Sequence, residues 1–282
     1  MEPDTRPAAA ERPRAFVAAR GPDAEAHLNR MLSNDVATLA DGESVDALLL
    51  TPKARVIATV RVVRRGPEDF LLLTEPGAGD ALLRDLVRTR FAAKVALEPE
   101  EHRAVVVLGE VELPAGTLAV PVADYGEPAV EAIDPRLPVG LATLAADALD
   151  LLRIRAGTPL LGRDVDDRVL PAEAGLVERH VSFTKGCYPG QEPVARLHYR
   201  GHANRGLRVL RLAGTALPAG DAEVVRDGSP VGRVTSAAVD GDGVVALAYV
   251  RVEVPDDAAL AVEGRPVLDQ RHAPAPAATG RG

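Results

Sequence analysis

The sequence predicts an α+β body followed by a small all-β barrel or sandwich, and three observations carry that expectation. The first 110 or so residues read as a helix, a run of strands, a second helix and more strand, which is a mixed layer rather than the strict alternation of a doubly wound parallel sheet. Residues 158–183, "TPLLGRDVDDRVLPAEAGLVERHVSF", are loop-rich. After Gly201 the texture changes to short strands broken by Asp-Gly turns. A chain of 282 residues suits two or three modest sub-domains sharing one body. The expected divisions are a flexible N-terminus over 1–13, the α+β body over 14–200, the barrel over 201–270 and a Pro/Ala/Gly-rich disordered tail over 271–282.

Each element has a local cause. From Pro22 to Val36, Ala24, Leu28, Met31 and Leu32 recur at helical spacing. "ESVDALLLTP", "RVIATVRVVRRG" and "DFLLLTEPG" read as successive strands, the first stopped by Pro52 and the third by a turn. "AGDALLRDLVRTRFAA" is an amphipathic helix with Leu82, Leu83, Leu86 and Val87 on one face. "KVALEP" and "RAVVVLG" return to strand, and "LAADALDLLRIRAG" is a helix with Gly157 as its stop. In the C-terminal part, "LRVLRLAG", "DAEVVRDGSPVGRVTSAAVDGDGVVALAYV" and "GRPVLDQ" supply the barrel strands. There is no internal repeat.

Composition narrows the function. Hydrophobic residues make up 46% and charged residues 26%, an ordinary globular balance. A net charge of −8 argues against general polyanion binding and leaves room for a local basic groove. Trp is absent and aromatics are 3%, so rings on which nucleobases stack are scarce. One cysteine rules out an internal disulfide and suits a reducing compartment. No apolar run approaches the roughly twenty residues of a membrane span, and "MEPDTRPAAAERPR" has no apolar signal core. The expected location is the cytoplasm, with no membrane partner.

The lone Cys187 lies in "KGCYPGQEPVAR", among turn-forming Gly186, Pro189 and Gly190 and just ahead of a helix beginning at Gln191, with Pro193 in its first turn. A tight loop with a space-filling thiol is one reading. A reactive thiol is the other, because a helix N-terminus and a nearby lysine, Lys185, both favour thiolate. A self-contained iron–sulfur or cysteine-rich zinc site needs more cysteines than the chain has. His198 and His202, four apart, are a weak metal pair, and His180, His198 and His202 are candidate partners for a Cys-His nucleophile.

"KGCYPGQE" resembles the signature of the YgfZ-type folate-binding proteins, relatives of the aminomethyltransferase (T-protein) of glycine cleavage. Lys185, Gly186, Cys187, Tyr188, Gly190, Gln191 and Glu192 match it. "MLSNDVATL", "LLLTPKARV", "LRIRAGTPLLGRDV" and "VGRVTSAAVDGDGVVALAYV" are similar to further blocks, so the likeness runs from about Phe16 to Val267. It implies a folate-binding body of two intertwined α+β parts and a C-terminal β-barrel. It also implies tetrahydrofolate or a one-carbon derivative as ligand, iron–sulfur client proteins as partners, and a weak tRNA association.

By the same resemblance, Cys187 is the functional thiol with Lys185 beside it, and Tyr188, Gln191 and Glu192 border the ligand. Glu173, in "PAEAG", takes the place of the T-protein glutamate that accepts both pterin donors in one fork. An exposed loop glutamate is the plain alternative. Arg205 resembles a folate-contacting arginine, with Arg196 and Arg200 as further cations for the glutamyl tail. The run Arg196, Arg200, Arg205, Arg208 equally fits a solvated basic face. One departure matters. Where T-protein carries paired aspartates, one of them essential, this chain has Ala58 and Thr59, which cannot act as acid or base. An iron–sulfur maintenance factor is therefore expected first. An aminomethyltransferase using Asp46 or Asp69 instead, and a tRNA-modification protein, are the alternatives.

Overall fold

The computed structural model describes residues 7–201 and 203–273, and they form two compact units. The first comprises the described residues up to Val122, with Glu127–Ala145 and Arg179–Ala195. The second comprises Ala123–Gly126, Ala146–Glu178 and the described residues from Arg196 onward. Residues 146–178, expected with the body, thus fold with the barrel strands.

The first unit holds two five-stranded sheets. One is built from β2 (Ala15–Arg20), β3 (Ser44–Leu50), β4 (Val56–Gly66), β5 (Asp69–Thr74) and β6 (Ala96–Glu100), in the order β3-β4-β5-β2-β6, with every pair antiparallel. The central β5 has no polar alternation, since Phe70, Leu71, Leu72 and Leu73 are all fully buried. α1 (Ala24–Met31) is shorter than its periodicity predicts, because Ser33 and Asn34 leave the helix to make other bonds. α2 (Gly79–Arg88) buries Leu82 and Leu86, while Val87, expected on the same face, is largely in solvent.

The second sheet has the order β10-β1-β7-β9-β8. Its strands are β1 (Ala8–Glu11), β7 (Ala104–Leu108), β8 (Leu118–Val122), β9 (Ala129–Ile133) and β10 (Ala142–Thr143). β1 corrects the expected flexible lead-in: Ala8–Glu11 pair antiparallel with β7, and Ala9 and Ala10 are buried where an isolated tail would leave them wet. Phe16, Val63, Leu71 and Leu73 of the first sheet pack against Ala104, Val120 and Ile133 of the second.

In the second unit α3 (Ala146–Ala156) leads into the loop-rich stretch. α4 (Val177–His180) and α5 (Gln191–Arg200) come next in the chain, each with residues in both units. The barrel consists of β11 (Arg205–Ala213), β12 (Glu223–Arg226), β13 (Ser229–Asp240), β14 (Gly243–Arg251), β15 (Ala261–Val262) and β16 (Arg265–His272). It closes through β11 pairing with both β14 and β16. Strand β16 reaches His272, two residues into the expected tail, and residues 274–282 of that tail lie outside the described residues. The fold is therefore an α+β body with a C-terminal six-stranded barrel. No helix among the described residues is long and apolar enough to cross a membrane.

Candidate functional site

The cysteine loop is held from three sides, all within the first unit. Ser33 donates its hydroxyl to the His180 carbonyl at 2.6 Å and accepts the Leu48 amide at 2.8 Å. Asn34 Nδ2 donates to the carbonyls of Asp46 and Arg179 at 2.8 and 2.9 Å. The "SND" block thus ties the stem of the loop to the first sheet. At the loop itself the Lys185 ammonium donates to the carbonyls of Asn29 and Leu32, the latter at 2.6 Å. That is a cation on the C-terminal carbonyls of α1, where both the dipole and the unpaired acceptors favour it. Burial pushes the Lys185 pKa down to about 8, with Asp35 opposing. Lys185, expected beside the thiol, thus also clips the loop to α1.

Downstream, Gly190 has φ +83°, and a Cβ there would stand 2.7 Å from the Thr51 carbonyl oxygen and 3.2 Å from Ala54 Cα. Only glycine allows that approach to the β3–β4 turn. Tyr188 is buried, its ring 5.4 Å from the Lys185 ammonium, and its hydroxyl has no partner among the described residues. Burial raises its pKa to about 12, so it stays a neutral donor. Cys187, between these anchors, is exposed, and no described residue hydrogen-bonds its sulfur. His180 is buried, and His198, on α5, is exposed with its ring edge-on to Tyr199. A Cys-His pair is not formed among the described residues. His202 lies outside them, and no group of three metal-binding side chains occurs within them.

Glu173 and Arg205, both in the second unit, are brought together, but on each other. Arg205 Nε and Nη2 reach the two Glu173 oxygens at 3.1 and 3.2 Å, and the Leu170 amide adds a third bond at 2.9 Å. Glu173 is 8% exposed, so it is no solvated loop residue. A backbone bond from the Leu207 amide to the Glu173 carbonyl, 3.0 Å, pins "PAEAG" to β11. The Arg205 guanidinium also lies 5.2 Å from the Tyr249 ring. The expected basic face is not one surface. Arg196 and Arg200 are exposed on α5 beside exposed Glu192 and half-buried Gln191. Arg208 is 2% exposed and donates to the Val254 carbonyl and to Gln270 Oε1.

The place of the T-protein aspartates is apolar on one side: Ala58 is fully buried on β4. The two candidate replacements are committed elsewhere. Asp46 takes the Arg61 guanidinium in a fork at 2.9 and 3.3 Å and lies 2.8 Å from Arg179. Asp69 accepts from Arg65 at 2.6 Å. Asp46 belongs to a buried ionic chain that sequence reasoning missed. Arg179, Asp46, Arg61, Glu131, Arg14, Glu75 and Arg12 follow one another in contact. Glu131 is fully buried, and although burial alone would raise its pKa, the guanidinia of Arg14 and Arg61 hold it below the usual range. A lone charge inside an apolar strand, as in "AVEAI" and "TVRVV", is the signal that could have found it. In the second unit fully buried Asp164 plays a similar part. It accepts from Arg153, the Leu160 amide, and the hydroxyls of Thr235 and Ser236. This explains the "LRIRAGTPLLGRDV" block as a strap on β13.

The comparisons agree with this architecture. Residues 200–275 match the family described as CAF17, C-terminal beta-barrel domain. The "tRNA-modifying protein YgfZ" of Photorhabdus laumondii subsp. laumondii is 29% identical over 235 residues, covering 73% of this chain and 71% of that protein. An "Aminomethyltransferase" of Rubrobacter xylanophilus is 28% identical over 294 residues, covering 89% and 77%. The crystal structure of glycine cleavage system aminomethyltransferase T from Bartonella henselae superposes with a TM-score of 0.79 at 21% identity, over 93% of this chain and 84% of that one. The fold is thus the aminomethyltransferase fold, with a closed six-stranded barrel at its C-terminal end. Within that class the chain is similar to the YgfZ-type proteins, and residues 185–192 resemble their signature.

Proposed function

We propose that this protein is a tetrahydrofolate-binding factor that supports assembly or repair of iron–sulfur proteins, with Cys187 as its working thiol. The observation that carries the reading is the contrast within one loop. Lys185, Tyr188 and Gly190 are each fixed by contacts, while the sulfur between them is exposed and without a partner. A fixed loop that presents a free nucleophile is built for use rather than for packing.

Folate suits the donors and acceptors available. Glu173 offers a two-oxygen fork for the pterin amino group and ring N–H. Arg205 occupies that fork, so pterin binding would displace it, and the freed guanidinium would suit the anionic glutamyl tail. When bound, the folate would supply one-carbon or redox chemistry. The protein's share is to hold the pterin and to present the thiol. Aminomethyl transfer is disfavoured because Ala58 and Thr59 carry no acid, and Asp46 and Asp69 are neutralised by arginines. The names of the relatives support a link to tRNA modification, and an iron–sulfur enzyme that thiolates tRNA would join the two readings.

Equilibrium dialysis against tetrahydrofolate tests the ligand. Wild type and Cys187→Ala should bind alike, and Glu173→Ala should lose binding at least tenfold. In a strain lacking the protein, Cys187→Ala should fail to restore iron–sulfur enzyme activity. A wild type that does not bind tetrahydrofolate ends the folate reading. Turnover with a lipoylated glycine-cleavage carrier would instead establish the aminomethyltransferase alternative.

A further inference from the structure

The segment 84–94, "RDLVRTRFAAK", combines features that the fold does not need. Phe91 is 89% exposed and has φ +47°. It sits in a turn closed by the Ala93 amide on the Arg90 carbonyl at 2.9 Å, in backbone space that glycine or asparagine normally takes. A bulky side chain there strains the backbone, and a wet phenyl ring gains no packing in return.

The rest of the loop is pinned. The Lys94 amide donates to Asp23 Oδ2 at 2.6 Å, Thr89 Oγ1 donates to the Asp85 carbonyl at 2.8 Å, and Arg90 Nη1 reaches the Val95 carbonyl at 3.3 Å. Gly21, with φ +126°, admits the close approach: a Cβ there would stand 2.4 Å from the Lys94 carbonyl oxygen. The ring therefore projects from a firm base.

Around it stand exposed Arg84, Arg88, Arg90 and Lys94. Arg84 and Lys94 have no side-chain partner among the described residues, and Arg88 pairs only with Asp85 one turn back on α2. Four cations against the one carboxylate of Asp85 give the segment a charge of +3, within a chain of net charge −8. Arg84 and Arg88, four apart, share one face of α2.

We propose that this turn is a docking surface for an unpaired stretch of RNA, with Phe91 stacking on a base and Arg84, Arg88 and Lys94 pairing with flanking phosphates. An aromatic platform among cations is the recurring solution for single-stranded nucleic acid. The apolar part, Phe91 with Val87 and Ala92, is too small to anchor a bilayer. The inference does not rest on folate or on Cys187.

Filter binding of a short labelled single-stranded RNA, its duplex form and phosphatidylserine vesicles tests it, with the full-length protein at several salt concentrations. The single strand should bind best, with affinity falling steeply as salt rises. Each of Arg84→Ala, Arg88→Ala and Lys94→Ala should flatten the slope of log affinity against log salt by about 0.7. Phe91→Ala should weaken binding about tenfold with the slope unchanged. Phe91→Gly suits the positive φ, so it should melt no lower than wild type while losing the same affinity, which separates recognition from folding. Absence of single-strand binding at low salt, binding indifferent to Phe91, or a preference for duplex or vesicles would overturn the proposal.

Discussion

Two glycines flank Cys187 in the same motif, and their surroundings differ. A Cβ on Gly190 meets Thr51, Leu50 and Ala54 and the backbone has φ +83°, whereas a Cβ on Gly186 meets nothing within 4 Å. Gly190→Ala should therefore cost about 3 kcal/mol in urea unfolding, from left-handed backbone strain plus overpacking. Gly186→Ala should change stability by less than about 0.5 kcal/mol and leave the thiol in place. Equal losses from both would mean that the loop is shaped by something other than its seat on the β3–β4 turn. The motif itself was legible in the sequence, because its residues are neighbours. The clip of Lys185 on α1 was not, since Asn29 and Leu32 lie more than 150 positions away.

Among the elements, the amphipathic and apolar runs were read correctly where local periodicity matches burial, as in β3, β4, β5 and α3. β1 escaped because three alanines and a glutamate carry no period, and only pairing with β7 makes them a strand. The two sheets of the first unit are also joined by His102. Its Nδ1 is 2.6 Å from Asp134 and its Nε2 2.9 Å from Glu100, and both partners are acceptors, so the ring is held doubly protonated. Burial lowers its pKa, but the bonds to Glu100 and Asp134 outweigh burial and raise it above the usual value. Arg20 and Arg65 also face Glu100, and the Arg103 amide faces Asp134. Because the folded pKa is the higher one, the contribution of His102 is complete below the unfolded pKa of about 6.5 and is lost as pH rises through the folded value. The difference in melting temperature between wild type and His102→Gln should be largest in mildly acidic buffer and shrink toward alkaline pH. A pH-independent difference would contradict the doubly bonded imidazolium.

Across the whole molecule, each unit encloses a charge that its fold has to satisfy. Glu131→Gln would leave Arg14 and Arg61 buried with half their partner gone, and Asp164→Asn would do the same to Arg153. Breaking a buried pair in this way costs about 3–5 kcal/mol. Both variants should show that loss in denaturant unfolding, whereas Arg103→Ala, whose pair with Glu11 is exposed, should lose less than about 1 kcal/mol. What could be read along the chain was what neighbouring residues decide among themselves: helices and strands with a strong period, the change to barrel texture after Gly201, and the signature around Cys187. What folding settled was the pairing of distant charges, with Glu173 meeting Arg205 and Asp46 taken by Arg61 and Arg179. An apolar side chain needs only a buried face, which periodicity announces. A charge needs one particular partner at hydrogen-bonding distance, and which residue arrives there depends on how remote strands are brought side by side.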